Sequence, residues 1–128
     1  MTPTIAGLLG LGALTLLGAC FSERGGTSAS SGGCDLSLDP SQYGSTIIAI
    51  QNFAFNPTPA HVKAGGKVTW VNCEAGGVAH TTTSNGAVWD SNLLNEGVTY
   101  TFTFPSAGSF DYHCTVHPSM VAQLIVDP

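Results

Sequence analysis

Charge is scarce in this chain. Charged residues make up 9% of its 128 positions, against about a quarter in an ordinary soluble domain. Only Arg24, Lys63 and Lys67 are basic, and eight acids bring the formal net charge to −5. A nucleic-acid partner is excluded, because holding phosphate needs a basic stripe that releases counterions, and three scattered cations cannot form one. Long apolar runs are missing too. The run from Ile5 to Leu17 would make a helix of about 20 Å, short of the roughly 30 Å hydrocarbon core of a bilayer. No window carries a convincing 3.6-residue hydrophobic period, which excludes a helical bundle, and no segment repeats. Disorder is excluded by the 43% of hydrophobic residues. The length suits one domain and not two.

The apolar run reads as the core of an export signal. It ends in Leu17-Gly18-Ala19-Cys20, which resembles the lipobox of bacterial lipoproteins. That resemblance implies cleavage before Cys20, acylation of that cysteine and attachment to a membrane surface. Met1-Thr2-Pro3-Thr4 lacks the basic residues such signals carry, and an ordinary signal with an unmodified cysteine is the other reading. Residues 21–33, FSERGGTSASSGG, hold too little apolar surface to offset the entropy of ordering them. The expected organisation is a signal over 1–19, a lipidated Cys20 with a flexible Gly/Ser linker over 20–33, and a folded domain over 34–128.

Within that domain the hydrophobic period is two. Val98, Tyr100, Phe102 and Phe104 alternate with Thr99, Thr101 and Thr103, a strand with threonines on its wet face. Further strands are expected at 67–72, 46–50, 53–55, 78–84, 109–114 and 121–126. Gly, Pro or Asn punctuates the pattern at the spacing of sandwiches and barrels. Residues 85–96 have room for one helical turn at most. The expected fold class is all-β, a two-sheet sandwich.

Chemistry concentrates near the C-terminus, in Cys114-Thr115-Val116-His117-Pro118-Ser119-Met120. A thiol, an imidazole and a thioether recur every third residue in a loop between two expected strands. Alternation puts Phe110, Tyr112 and Cys114 on one face, with Asp111 and His113 opposite. Met120, Ala122, Leu124 and Val126 share a face on the next strand, so the loop can aim all three donors at one buried point. A fourth ligand must come from elsewhere, and His80 is the best candidate. Two His, one Cys and a weak Met describe a blue-copper electron-transfer site. Zinc prefers four strong ligands, and a thioether is a poor one for it.

These residues resemble the cupredoxins, and most closely the amicyanin and plastocyanin-like branch. The matching pieces are His61-Val62-Lys63, Val68-Thr69-Trp70-Val71-Asn72, the lone His80, Tyr100-Thr101-Phe102 and Asp111-Tyr112-His113-Cys114. The resemblance implies a Greek-key sandwich holding one copper ion that cycles between Cu(I) and Cu(II). By analogy Cys114, His80 and His117 ligate it and Met120 is the long axial ligand. His117 would be the ligand nearest solvent, and Val116, Pro118 and Ser119 around it the docking face for redox partners. Thr81 follows His80 where the family often has an Asn that hydrogen-bonds across to the ligand cysteine.

Other roles fit these residues less well. A Cys114–His117 nucleophile and base, as in thiol hydrolases, leaves His80 and Met120 idle. Multicopper enzymes need more imidazoles than the four His present, so no enzyme is expected. A copper carrier or storage protein is the alternative function, although carriers favour exposed sites rich in Met or Cys. His113 and His61 read as surface or structural residues and Trp70 as core. Cys34 and Cys73 remain once Cys20 and Cys114 are assigned. In an oxidising compartment such a pair is expected to join, with two free thiols or an intermolecular bridge as alternatives. Closing that loop would stabilise by at most about 4 kcal/mol. The chain is thus expected to be exported, lipid-anchored on the periplasmic or extracellular side, and monomeric.

Overall fold

The computed structural model describes Cys34 and residues 36–128. The expected signal, Cys20 and the linker lie outside the described residues. The first element among the described residues is a single helical turn, α1 (Pro40–Tyr43), where Asp39 caps the start by accepting from the Ser41 N–H at 2.8 Å. Proline at the first helical position costs nothing there, because its missing N–H would have had no partner. This turn lies outside the region where one was expected.

Eight strands follow: β1 (Thr46–Gln51), β2 (Ala54–Asn56), β3 (Ala60–Lys63), β4 (Lys67–Asn72), β5 (Thr83–Ser84), β6 (Thr99–Thr103), β7 (Gly108–His113) and β8 (Val121–Asp127). They form two four-stranded sheets, ordered β2-β1-β4-β6 and β3-β8-β7-β5. The β1–β2 and β7–β8 links stay within one sheet, and every other connection crosses between sheets. Each sheet is mixed, since β1 runs parallel to β4 and β3 parallel to β8. The all-β sandwich expected from the period-two pattern is the observed architecture.

The inward faces meet in an aromatic core. Trp70 is fully buried, stacked on Trp89 with ring centroids 5.4 Å apart and edge-on to Tyr112 at 5.8 Å. Ile48, Ile50, Phe104 and Leu124 close the same cluster. Trp89 and Leu94 come from residues 85–96, which form no helical turn. That segment is instead pinned by bridges pairing Thr83 with Asp90 and His80 with Leu94.

Two expected strands change shape. Over 78–84 only Thr83–Ser84 is strand, because the chain leaves β4 through Gly76 and Gly77, both at positive φ, and crosses toward the other sheet. Phe53 belongs to the turn before β2. The expected Cys34–Cys73 bridge is formed, tying the start of the described chain to the residue just after β4.

Candidate metal centre

The 114–120 segment joins β7 to β8 and is held as a closed loop. The Cys114 N–H donates to the Met120 carbonyl at 3.0 Å, and the Met120 N–H donates to the His117 carbonyl at 2.9 Å. Cys114 is fully buried and Met120 nearly so, whereas His117 lies between buried and exposed. His80 arrives from the crossover after β4. Its backbone pairs in both directions with Leu94, at 3.1 and 2.7 Å, which locks the imidazole inside the sandwich at 0% exposure.

Three donor atoms then converge. His80 Nδ1 lies 3.2 Å from His117 Nδ1, and Cys114 Sγ lies 3.7 Å from each. A point equidistant from the three is about 2 Å from each, the ordinary length of a first-row metal–nitrogen or metal–sulfur bond. Together they form the one His/Cys/Asp/Glu group of this kind among the described residues, all ligand atoms within 4.8 Å of one another. The donor set fits the ion: a soft thiolate and two imidazoles, gathered away from water, make a type 1 copper-like site. Burial pushes the His80 imidazole below its usual pKa, the neighbouring His117 adds to this, and the Glu74 carboxylate opposes it. A neutral ring is the form that ligates.

Bracing comes from Thr81. Its N–H donates to Cys114 Sγ at 3.3 Å, and its hydroxyl accepts from the Thr115 N–H at 2.8 Å. The cross-link expected of an Asn at this position is therefore made by Thr, through the backbone and a shorter side chain. The other two histidines point elsewhere. His113 Nδ1 meets Asn85 Oδ1 at 2.7 Å, and exposed His61 sits 3.3 Å from the Asp127 carboxylate. Cys114, with no exposed surface, is closed to the substrate a hydrolase nucleophile would attack.

Around His117 the surface is uncharged. Val116 is 48% exposed, and Pro118 and Ser119 are exposed. Val116 and Leu93 also line an open groove, together with Thr81, Asp90, Asn92 and Thr115. Sequence reasoning passed over Phe53 and Glu74. The Phe53 ring stands edge-on to both imidazoles, with centroids 5.5 Å from His80 and 5.0 Å from His117. Glu74 lies 3.5 Å from His80 Nε2. The sequence placed Phe53 in a strand, and an acid just after the expected strand 67–72 gave no sign of its partner.

Comparison with known proteins agrees with this geometry. The profile of copper binding proteins of the plastocyanin/azurin family matches residues 43–127. The chain belongs to that family. Among its members, amicyanin from Paracoccus denitrificans is 32% identical over 89 residues, covering 66% of this chain and 66% of the relative. Amicyanin-alpha from Methylorubrum extorquens is 30% identical over 112 residues, covering 85% of this chain and 94% of the relative. The chain thus spans about two thirds of the first relative and nearly all of the second. Among solved structures, the reduced Cu(I) form at pH 4 of an amicyanin mutant aligns with a TM-score of 0.57 at 29% identity, over 66% of this chain and 83% of that one. An oxidized amicyanin mutant aligns with a TM-score of 0.58 over the same shares, also at 29% identity. The fold is that of an amicyanin-like blue-copper domain.

Proposed function

We propose that the chain is an exported, membrane-tethered blue-copper protein that shuttles single electrons between redox proteins. His80, Cys114 and His117 hold the copper ion, and Met120, buried at the end of the ligand loop, is its weak fourth ligand. The observation that carries this reading is the convergence of one sulfur and two ring nitrogens, 3.2 to 3.7 Å apart, inside the sandwich. When bound, copper supplies a one-electron couple between Cu(I) and Cu(II).

The residues of the chain do the rest. Cys114 and His80 are shut off from water, so few solvent molecules reorganise when charge changes at the centre. Thr81, Leu94 and the loop hydrogen bonds hold the donors in one arrangement, suited to both oxidation states. His117 reaches toward the surface, and Val116, Pro118 and Ser119 offer an uncharged rim against which a donor or acceptor protein docks. The chain is a carrier and not an enzyme, and it works as a monomer. Full burial of two donors also favours electron transfer over copper carriage, which needs metal to leave readily.

The tether rests on sequence. Leu17-Gly18-Ala19-Cys20 supports a lipidated Cys20 after a signal over 1–19, with 20–33 as linker to a domain over 34–128. Mass spectrometry of the mature protein is expected to show an acylated N-terminal Cys20, and an unmodified start elsewhere would remove the anchor. For the centre, one equivalent of cupric salt added to the metal-free protein is expected to give a strong thiolate-to-Cu(II) band in the visible, abolished by Cys114→Ser. Material that stays pale after oxidation would overturn the reading. A colourless Cu(I) protein that yields its metal to chelators would assign carriage instead.

A further inference from the structure

The β1–β2 hairpin turns in a conformation its sequence resists. Gln51 pairs with Ala54, so the loop is the two residues Asn52 and Phe53, each with φ near 54°. Such turns favour Asn followed by Gly, because both central residues must be left-handed. A bulky aromatic at the second position is an outlier, and outliers of this kind gather at functional sites. Here the unfavourable backbone sets the Phe53 ring against both imidazoles while leaving it half exposed.

What holds it there is one carboxylate. The Phe53 N–H donates to Glu74 Oε2 at 2.8 Å. That same oxygen faces His80 Nε2 at 3.5 Å, and this fully buried nitrogen has no hydrogen-bond partner. Glu74 is itself well fixed. Its N–H donates to the buried Asn72 side chain at 3.0 Å, and its neighbour Cys73 carries the disulfide. One acceptor thus stands between a left-handed turn and the rear of a ring whose front nitrogen faces Cys114 and His117.

We infer that Glu74 and Phe53 are the positioning residues of His80. Glu74 draws the ring proton to Nε2, which leaves the Nδ1 lone pair aimed at the centre, and it anchors the turn that sets Phe53 as a wall across both imidazoles. A partner on the far nitrogen commonly selects the tautomer of a ligating histidine in this way. The inference rests on the copper reading for its purpose, but the tautomer and the turn are properties of the metal-free chain.

Nitrogen-15 NMR of the metal-free full-length protein tests it. The wild-type chain is expected to show His80 in one tautomer, protonated at Nε2, and a slowly exchanging Phe53 amide. Glu74→Ala is expected to mix the two tautomers and speed Phe53 amide exchange about tenfold or more. It is also expected to weaken Cu(I) binding about 10- to 100-fold, measured against a competing chelator. Glu74→Gln, whose amide oxygen still accepts, is expected to restore both NMR signatures. Phe53→Gly relieves the turn, so its thermal midpoint is expected to hold or rise while copper is lost faster to the chelator. A single unchanged tautomer in Glu74→Ala with wild-type Cu(I) affinity would overturn the inference. If that variant does not fold, a lowered midpoint in Phe53→Gly with unchanged copper retention would do so. A wild-type chain that binds no copper would instead sink the electron-carrier reading and leave the tautomer result standing.

Discussion

Thr81 has a short side chain and a crowded set of partners. Its hydroxyl accepts from the Thr115 N–H and lies 3.1 and 3.0 Å from the hydroxyls of Thr115 and Thr83, while its own N–H reaches the Cys114 sulfur. The sulfur bond comes from the backbone and survives substitution, but the hydroxyl bonds do not. Thr81→Val keeps the volume and leaves the Thr115 N–H without its acceptor, a loss of about 1–3 kcal/mol. Denaturant unfolding of the metal-free protein measures it, and an unchanged midpoint would show that the hydroxyl braces nothing. At this scale the sequence was readable where residue type alone carries the chemistry, as at Cys114, His117 and His80. It was mute where conformation carries it. Nothing in the letters around Phe53 announces a left-handed backbone, nor a carboxylate 21 positions away as its partner.

The crossover after β4 is the element that brings His80 to the other ligands, and Asn72 fastens it. Its side-chain amide donates to the carbonyls of Val78 and Leu94, both at 2.8 Å, and its oxygen accepts from the Glu74 N–H at 3.0 Å. Asn72 is fully buried, so water cannot replace those bonds. Asn72→Ala is expected to cost about 3 kcal/mol or more, and the amides of His80 and Leu94 should lose protection from hydrogen exchange. Retained protection would show that the Leu94 bridge stands without it. A second element, the loop tip, is tested from outside: Val116→Asp should slow electron exchange with a redox partner while leaving the visible spectrum unchanged. Equal rates would remove Val116 from the docking face. Strands with one wet face, such as β6 and β7, were legible because alternation is forced when one side meets water. The crossover misled because Val78 to Ser84 has strand composition, yet buried Thr81 and Thr82 face polar partners rather than alternate. The Thr82 hydroxyl accepts from the Trp89 indole N–H and its backbone N–H donates to the Ser91 hydroxyl oxygen, pairings visible only once the segment leaves its sheet.

For the molecule as a whole, the core that holds the centre is aromatic, and its polar atoms set an alkaline limit. Tyr112 is fully buried against Phe55 and Trp70, and burial pushes its phenol far above the usual tyrosine range, offset only in part by the Trp70 indole. Burial, with the Asp90 charge nearby, raises Tyr100 as well. In the folded state both phenols keep protons that an unfolded chain releases above about pH 10. Because the folded state then binds more protons, stability is fully present below that value and falls as pH rises beyond it. An absorbance titration is expected to show Tyr112 ionising only together with unfolding. Tyr112→Phe separates this proton linkage from packing. The hydroxyl makes no well-formed hydrogen bond, so its removal at neutral pH should change stability by no more than about 1 kcal/mol. The same substitution should move the alkaline unfolding midpoint upward, since no phenol remains at that site to pull the chain open. An unchanged midpoint would place the alkaline limit at Tyr100 or outside the tyrosines.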